Sequence, residues 1–168
     1  MSAGKTNAVR MLERLGIPYG LADYDPGDAH TEAAEVARRL GVPADALFKT
    51  LVARDDAGGV RVYCVPAAAD LDLKKAARAS LVRSIALVPL KDLQPLTGYV
   101  RGGCSPLGMR RPHPVLIDEF ATVHARIHVN AGARGLQVIL APSDLARACG
   151  GGFADISAAP DPDRGPVV

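Results

Sequence analysis

The chain has 168 residues, 48% of them apolar, and a net charge of only +2. That is one domain's worth of sequence, long enough to bury a core without covalent staples. Aromatic residues make up 4% with no tryptophan, so base stacking is excluded as the main grip on nucleic acid, and the charge is too small for a general DNA binder.

In chain order, the stretch TNAVRMLERLGIPY predicts a helix capped by Thr6 or Asn7, with Val9, Leu12 and Leu15 on one face and Gly16 as its stop. PYGLADYD reads as a first strand. EAAEVARRLGV then predicts a second helix, with Thr31 as its cap and Gly41 as its end. LFKTLVARDDAGGVRVYCVPAA predicts two strands around a turn at Asp55 to Gly59. DLDLKKAARAS reads as a short helix capped by Asp70 or Asp72. Ser84 to Val88 is expected to be a strand, and LKDLQPLTGY a helical turn broken by Pro95.

A glycine-rich loop follows, TGYVRGGCSPLGMRRPHP, in which four glycines, three prolines and three arginines share eighteen residues. PVLIDEFA and RIHVNAG are expected to bracket a strand pair, and TVHARIHVN is β-branched enough to be extended. GLQVILAP predicts a strand, SDLARACGG a helix capped by Ser143, and GFADIS a closing segment. Residues 1–157 form the expected domain. Residues 158–168, with three prolines and no core pattern, read as a disordered tail. Strands in hairpin-like pairs with helices between them point to an α+β fold, a single domain with a curved, mixed and partly barrel-like sheet flanked by helices.

No signal peptide opens the chain and no apolar run is long enough to span a bilayer, so a soluble cytoplasmic protein is expected, without a membrane partner. The three cysteines, Cys64, Cys104 and Cys149, have no paired spacing and are expected to be reduced thiols. Cys104 invites a nucleophile reading with His113, His124 or His128 as base, but no hydrolase signature surrounds it and a buried hydrophobe is the plainer reading. His124 and His128 are four apart, yet no glutamate sits beside His124. No metal is expected, and surface histidines are the simpler account. The glycine loop is neither a P-loop nor a dinucleotide fingerprint, so no cofactor is expected. Gly102 and Gly103 would instead let backbone N–H groups approach a ligand, and Pro106 would stiffen the exit. Lys49, between Phe48 and Leu51 in an apolar strand, must snorkel or pair, and is a candidate site lysine.

Five stretches carry a resemblance: FKTLVA at Phe48 to Ala53, LDLKKAA at Leu71 to Ala77, TGYVRGGCSPLG at Thr97 to Gly108, GARGLQVILAPSDLA at Gly132 to Ala146 and FADI at Phe153 to Ile156. In this order and spacing they resemble the YbaK family of Cys-tRNA(Pro) deacylases, relatives of the editing domain of prolyl-tRNA synthetase. The resemblance implies removal of cysteine wrongly joined to proline tRNA, a pair of amino acids too alike for one binding pocket to separate fully. It implies that the substrate's own thiol attacks its ester while the protein positions it. Carried onto this chain, it implies that Lys49 holds the tRNA 3′ end, with the Thr50 hydroxyl beside it. Tyr24 stands on the pocket wall with His30 nearby. Gly102, Gly103, Ser105 and Pro106 fix the aminoacyl group. Asn130 stands where relatives tend to carry serine and Gln137 where many carry an acid. Arg110 and Arg111 follow the loop and could meet acceptor-stem phosphates. The implied partners are aminoacyl-tRNA and prolyl-tRNA synthetase, not DNA. The alternatives are a deacylase for another mischarged tRNA such as Ala-tRNA, a tRNA- or synthetase-binding module without catalysis, and a small esterase.

Overall fold

A computed structural model describes residues 4–27, 31–160 and 163. His30 and most of the expected tail lie outside the described residues. The elements in order are α1 (Asn7–Arg14), β1 (Gly20–Asp23), α2 (Ala33–Leu40), β2 (Leu47–Asp55), β3 (Val60–Pro66), β4 (Asp70–Leu71), α3 (Leu73–Ala79), β5 (Ile85–Leu87) and α4 (Leu90–Thr97). There follow β6 (Val115–Asp118), a 3₁₀ turn (Glu119–Val123), β7 (Ile127–Ala133), β8 (Leu136–Leu140), α5 (Pro142–Cys149), β9 (Gly152–Ala154) and β10 (Ser157–Ala158).

Eight strands form one mixed sheet in the order β1-β8-β7-β2-β3-β6-β9, with β5 added to the far end of β2. Hairpins supply the antiparallel pairs β2–β3 and β7–β8. β2–β7, β3–β6 and β6–β9 are parallel. The α+β expectation therefore holds, and the sheet runs from an edge at β1 to an edge at β9.

Alternation along β2 divides the core between the two faces of the sheet. Phe48 and Val52 join a large cluster with α1, α4, α5 and Leu107 of the glycine loop. Leu51 and Ala53 join a second cluster with α3 and Ile156, and Leu47 meets Val36 and Ala37 of α2 in a third. Asp118, buried at the end of β6, satisfies two backbone groups: Oδ1 accepts from Phe120 N and Oδ2 from Ile156 N, at 2.9 and 3.1 Å.

Several local expectations shift. Thr31 does not cap α2. Its hydroxyl donates to Pro26 O at 2.8 Å, closing the preceding loop, and Glu32 holds the cap position without a side-chain bond. Of the two candidates for α3, Asp72 is the cap, accepting from Lys74 N and Lys75 N. Ser143 lies inside α5, which begins at Pro142, a residue suited to a first turn where no N–H is needed. Pro95 sits within α4 instead of breaking it, because the carbonyl it cannot bond, four residues back, belongs to exposed Lys91. The segment before Ile127 is a 3₁₀ turn, not a strand, and His124 and His128 are half-buried rather than on the surface. Ala158 pairs with Asp70 in β10–β4, so ordered pairing reaches one residue into the expected tail.

Candidate functional site

The site arises where two parallel strands part. β2 and β7 pair at only two rungs, Leu47 with His128 and Phe48 with Val129. Beyond Phe48, β2 stays with β3 and β5, while β7 bends away through a bulge between Asn130 and Ala133. Parallel strands that diverge at their carboxyl ends leave a crevice, the usual ligand position in such sheets. Here it is a cavity of about 120 Å³, walled by Tyr24, Pro26, α2, β2, the glycine loop and β8.

Register explains which side chains meet there. Continuing the β2–β7 ladder by one rung brings Lys49 abreast of Asn130, Asn130 pairs with Gln137, and Gln137 pairs with Ala22. The period of two puts these residues on one face, under Tyr24 and α2. Thr50 faces the other way, with Phe48 and Val52, and reaches the cavity from within the crevice. Its Oγ1 is buried without a hydrogen-bond partner, and so is Oε1 of Gln137, a residue only 4% exposed. A buried polar atom left unsatisfied costs about 1–3 kcal/mol, and two residues that carry one, Thr50 and Gln137, line this cavity. The Lys49 ammonium lies 3.9 Å from the Asp70 carboxylate, which tethers it at the cavity wall at long ion-pair range.

Asn130 lines the cavity and also acts as a structural tie. Its Nδ2 donates to Gly102 O at 2.9 Å, and its Oδ1 accepts from Gly132 N and Ala133 N at 2.7 and 3.1 Å. The side chain thus ties the glycine loop to the β7 bulge and has little left for a ligand. Gly102 lines the cavity, but Gly103, Ser105 and Pro106 are buried and do not. The Gly103 N–H is engaged by Val100 O at 2.9 Å, so in this structure it faces the loop's own backbone. Glycine suits position 103 because a Cβ would come within 3.1 Å of Arg134 N and press that turn back. Ser105 Oγ accepts from Leu107 N, and Tyr99 OH donates to Leu107 O at 2.6 Å, so these residues fix the loop's shape.

Cys104 reaches the cavity wall, yet burial pushes its thiol up to about 12. At neutral pH it is protonated and a poor nucleophile. No histidine is among the described lining residues. Burial lowers the His128 pKa, and its Nδ1 and the His124 Nε2 are buried without partners, away from that lining. Among the described residues no group of three or more His, Cys, Asp or Glu is arranged to hold a metal. No described helix is long and apolar enough to cross a membrane.

Among the lining residues that escaped the sequence reading are two cations, Arg101 and Arg134, whereas Arg110 and Arg111 are exposed and off the cavity. Each missed arginine stands in a glycine turn, YVRGG and GARGL, where a charged residue ordinarily reads as a solvated edge. Only the fold brings the two turns together.

Comparison with known proteins agrees with this geometry. The model of the aminoacyl-tRNA editing domain family matches residues 28–148. A protein of Enterococcus faecalis named "Putative Cys-tRNA(Pro)/Cys-tRNA(Cys) deacylase EbsC" is 41% identical over 153 residues, covering 91% of this chain and 93% of its own length. A crystal structure described as "hypothetical protein APE2540" superposes with a TM-score of 0.82 at 23% identity, over 91% of this chain and all of that one. Another, described as "a putative trans-editing enzyme for prolyl tRNA synthetase", gives 0.79 at 24% identity, over 94% of this chain and 100% of that one. The last two similarities bear on fold alone, but the family match and the 41% relative go further: the chain belongs to the aminoacyl-tRNA editing domain family.

Proposed function

We propose that the chain is a free-standing aminoacyl-tRNA deacylase that clears Cys-tRNA(Pro), acting in the cytoplasm alongside prolyl-tRNA synthetase. The observation that carries this reading is the cavity itself. It joins a tethered cation at Lys49, two unsatisfied polar groups at Thr50 and Gln137, and an apolar floor, with no activated nucleophile from the protein. The name of the 41% relative supports the substrate, and the described role of the 24% structural neighbour supports the synthetase as partner.

In this reading the aminoacyl group enters between Tyr24 and Gly102, and Lys49 steadies the terminal nucleotide. Gln137 offers its free carbonyl oxygen to the α-ammonium of the amino acid. Thr50 Oγ1 offers a hydrogen bond to the ester oxygen. The cysteine sulfur of the substrate attacks its own ester carbon: the S–C bond forms, the C–O bond to ribose breaks, and the thiol proton ends on the ribose hydroxyl. The cyclic thioester released is then opened by water. Such a reaction needs positioning more than a protein nucleophile, because a well-oriented neighbouring group has an effective molarity on the order of 10⁵ M or more.

Single-turnover deacylation of Cys-tRNA(Pro) tests the proposal. Lys49→Ala should lower the rate at least about tenfold, roughly 1.4 kcal/mol of transition-state stabilisation. Cys104→Ser should leave it within about threefold, since a protonated buried thiol contributes packing only. Wild-type rates in the lysine variant, or loss of turnover in the folded serine variant, would sink the mechanism. A panel of Cys-, Ala- and Ser-tRNA(Pro), with and without the synthetase, sets the substrate. Tight binding without turnover on every member would make the chain a binding module instead.

A further inference from the structure

Among the described residues, Arg101 is half-buried on the cavity wall and makes no hydrogen bond or ion pair. Leaving a guanidinium partly desolvated with no acceptor is unfavourable unless an anion arrives. Arg134, on the turn between β7 and β8, lies against the same loop from the other side. A Cβ added to Gly102 would stand 3.5 Å from its Cγ and Nε, and its Nη2 donates to Gly27 O at 3.1 Å. Gly102 and Arg134 are exposed while Gln137, Asn130 and Phe48 are buried, so the arginines mark the mouth and the amide the floor. Among the described lining residues, three cations stand against one carboxylate, Glu32.

We infer that Arg101 and Arg134 form a phosphodiester subsite at the cavity mouth, gripping the RNA backbone just before the aminoacylated nucleotide. The inference rests on the deacylase reading for its ligand: with the ester at the floor, the polynucleotide must leave through the mouth, and the first groups it presents there are phosphates. A guanidinium fork matches a phosphate's two free oxygens, and the Arg134 bond to Gly27 O holds that fork across the opening in advance. The arrangement separates the two tasks of the site. The floor reads the amino acid, and the mouth reads an RNA strand of any sequence.

Equilibrium binding of an uncharged CCA-ended oligoribonucleotide, followed by fluorescence anisotropy across a salt series, tests this without relying on catalysis. Arg101→Gln, which removes no hydrogen bond or ion pair, should weaken binding by about tenfold, as should Arg134→Gln. Each variant should flatten the plot of log affinity against log salt by about 0.7, the value of one phosphate contact on single-stranded nucleic acid. Arg134→Lys should recover part of the affinity, since it keeps the charge and loses the fork. Unchanged affinity and slope in the folded Arg101→Gln protein would overturn the inference. So would displacement of the oligonucleotide by inorganic phosphate at similar concentration, which would mark a free-phosphate site. Turnover of Cys-tRNA(Pro) is scored separately: arginine-dependent RNA binding without turnover defeats the deacylase reading and leaves the subsite standing.

Discussion

Two glycine-bearing turns in this chain look alike on paper and behave differently in the fold. The turn between β2 and β3 is organised by its own Asp55, and its outside tie, from Asp56 to Arg83 and Ser84, runs to the neighbouring start of β5. Asp55 Oδ1 accepts from Ala57 N and Gly59 N, and its Oδ2 accepts from Arg61 Nε, all at 2.9 Å. The glycine loop from Gly98 to Gly108 is tied down from afar. Gly102 O is held by Asn130, twenty-eight residues on, and Gly103 presses on the backbone of Ala133 and Arg134. A turn organised by its own aspartate, with its outside tie away from the cavity, only reverses the chain. A loop closed by a distant strand can stand as one wall of a cavity and carry that strand's geometry into it.

If that contrast is right, cutting the long-range tie should cost most. Asn130→Ala removes three hydrogen bonds from a residue 9% exposed and leaves the Gly102 carbonyl and two backbone N–H groups short of partners. We expect a loss of about 3 kcal/mol in urea unfolding, and a fall in deacylation larger than this loss of stability explains at temperatures where the variant stays folded. A loss under 1 kcal/mol would mean that water can replace the clamp. Gly103→Ala should come next, at about 1–2 kcal/mol, because the added methyl must push the β7–β8 turn back by a few tenths of an ångström. A crystal structure of this variant should show Arg134 displaced.

The β2–β3 turn should be more forgiving at Asp55. Asp55→Ala should lower the urea midpoint less than either change above and leave deacylation intact. It carries a pH signature instead. The Gly59 N–H, with Arg61 beside it, holds the Asp55 carboxyl below its ordinary value near 3.8. The folded state therefore binds this proton less readily than the unfolded chain. The stabilisation is present above the unfolded value and is lost as the pH falls through the lower folded value. Urea midpoints of the parent and the Asp55→Ala protein should converge as the solution is acidified below about pH 4. Midpoints that stay parallel would show that the carboxylate's charge contributes nothing to this turn.

The sequence by itself determined most of what is local. Alternating apolar residues set the strands of the β2–β3 hairpin, and Asp55 to Gly59 announced the turn between them. Gly41 ends α2 at φ +69°, as its lack of a Cβ allows. Lys49 stood out because a lysine in an apolar strand must find a partner, and it has Asp70. The fold decided the rest. Nothing within three or four residues of Asn130 shows that it binds a glycine loop, nor that Gly103 spends its N–H internally while Gly102 faces the cavity. Arg101 and Arg134 became a pair only when the β7 bulge turned toward that loop. Local rules record what a residue does to its own backbone. A cavity between diverging strands is closed by contacts such as those 28 and 107 positions apart, and only their assembly shows which side chains share its wall.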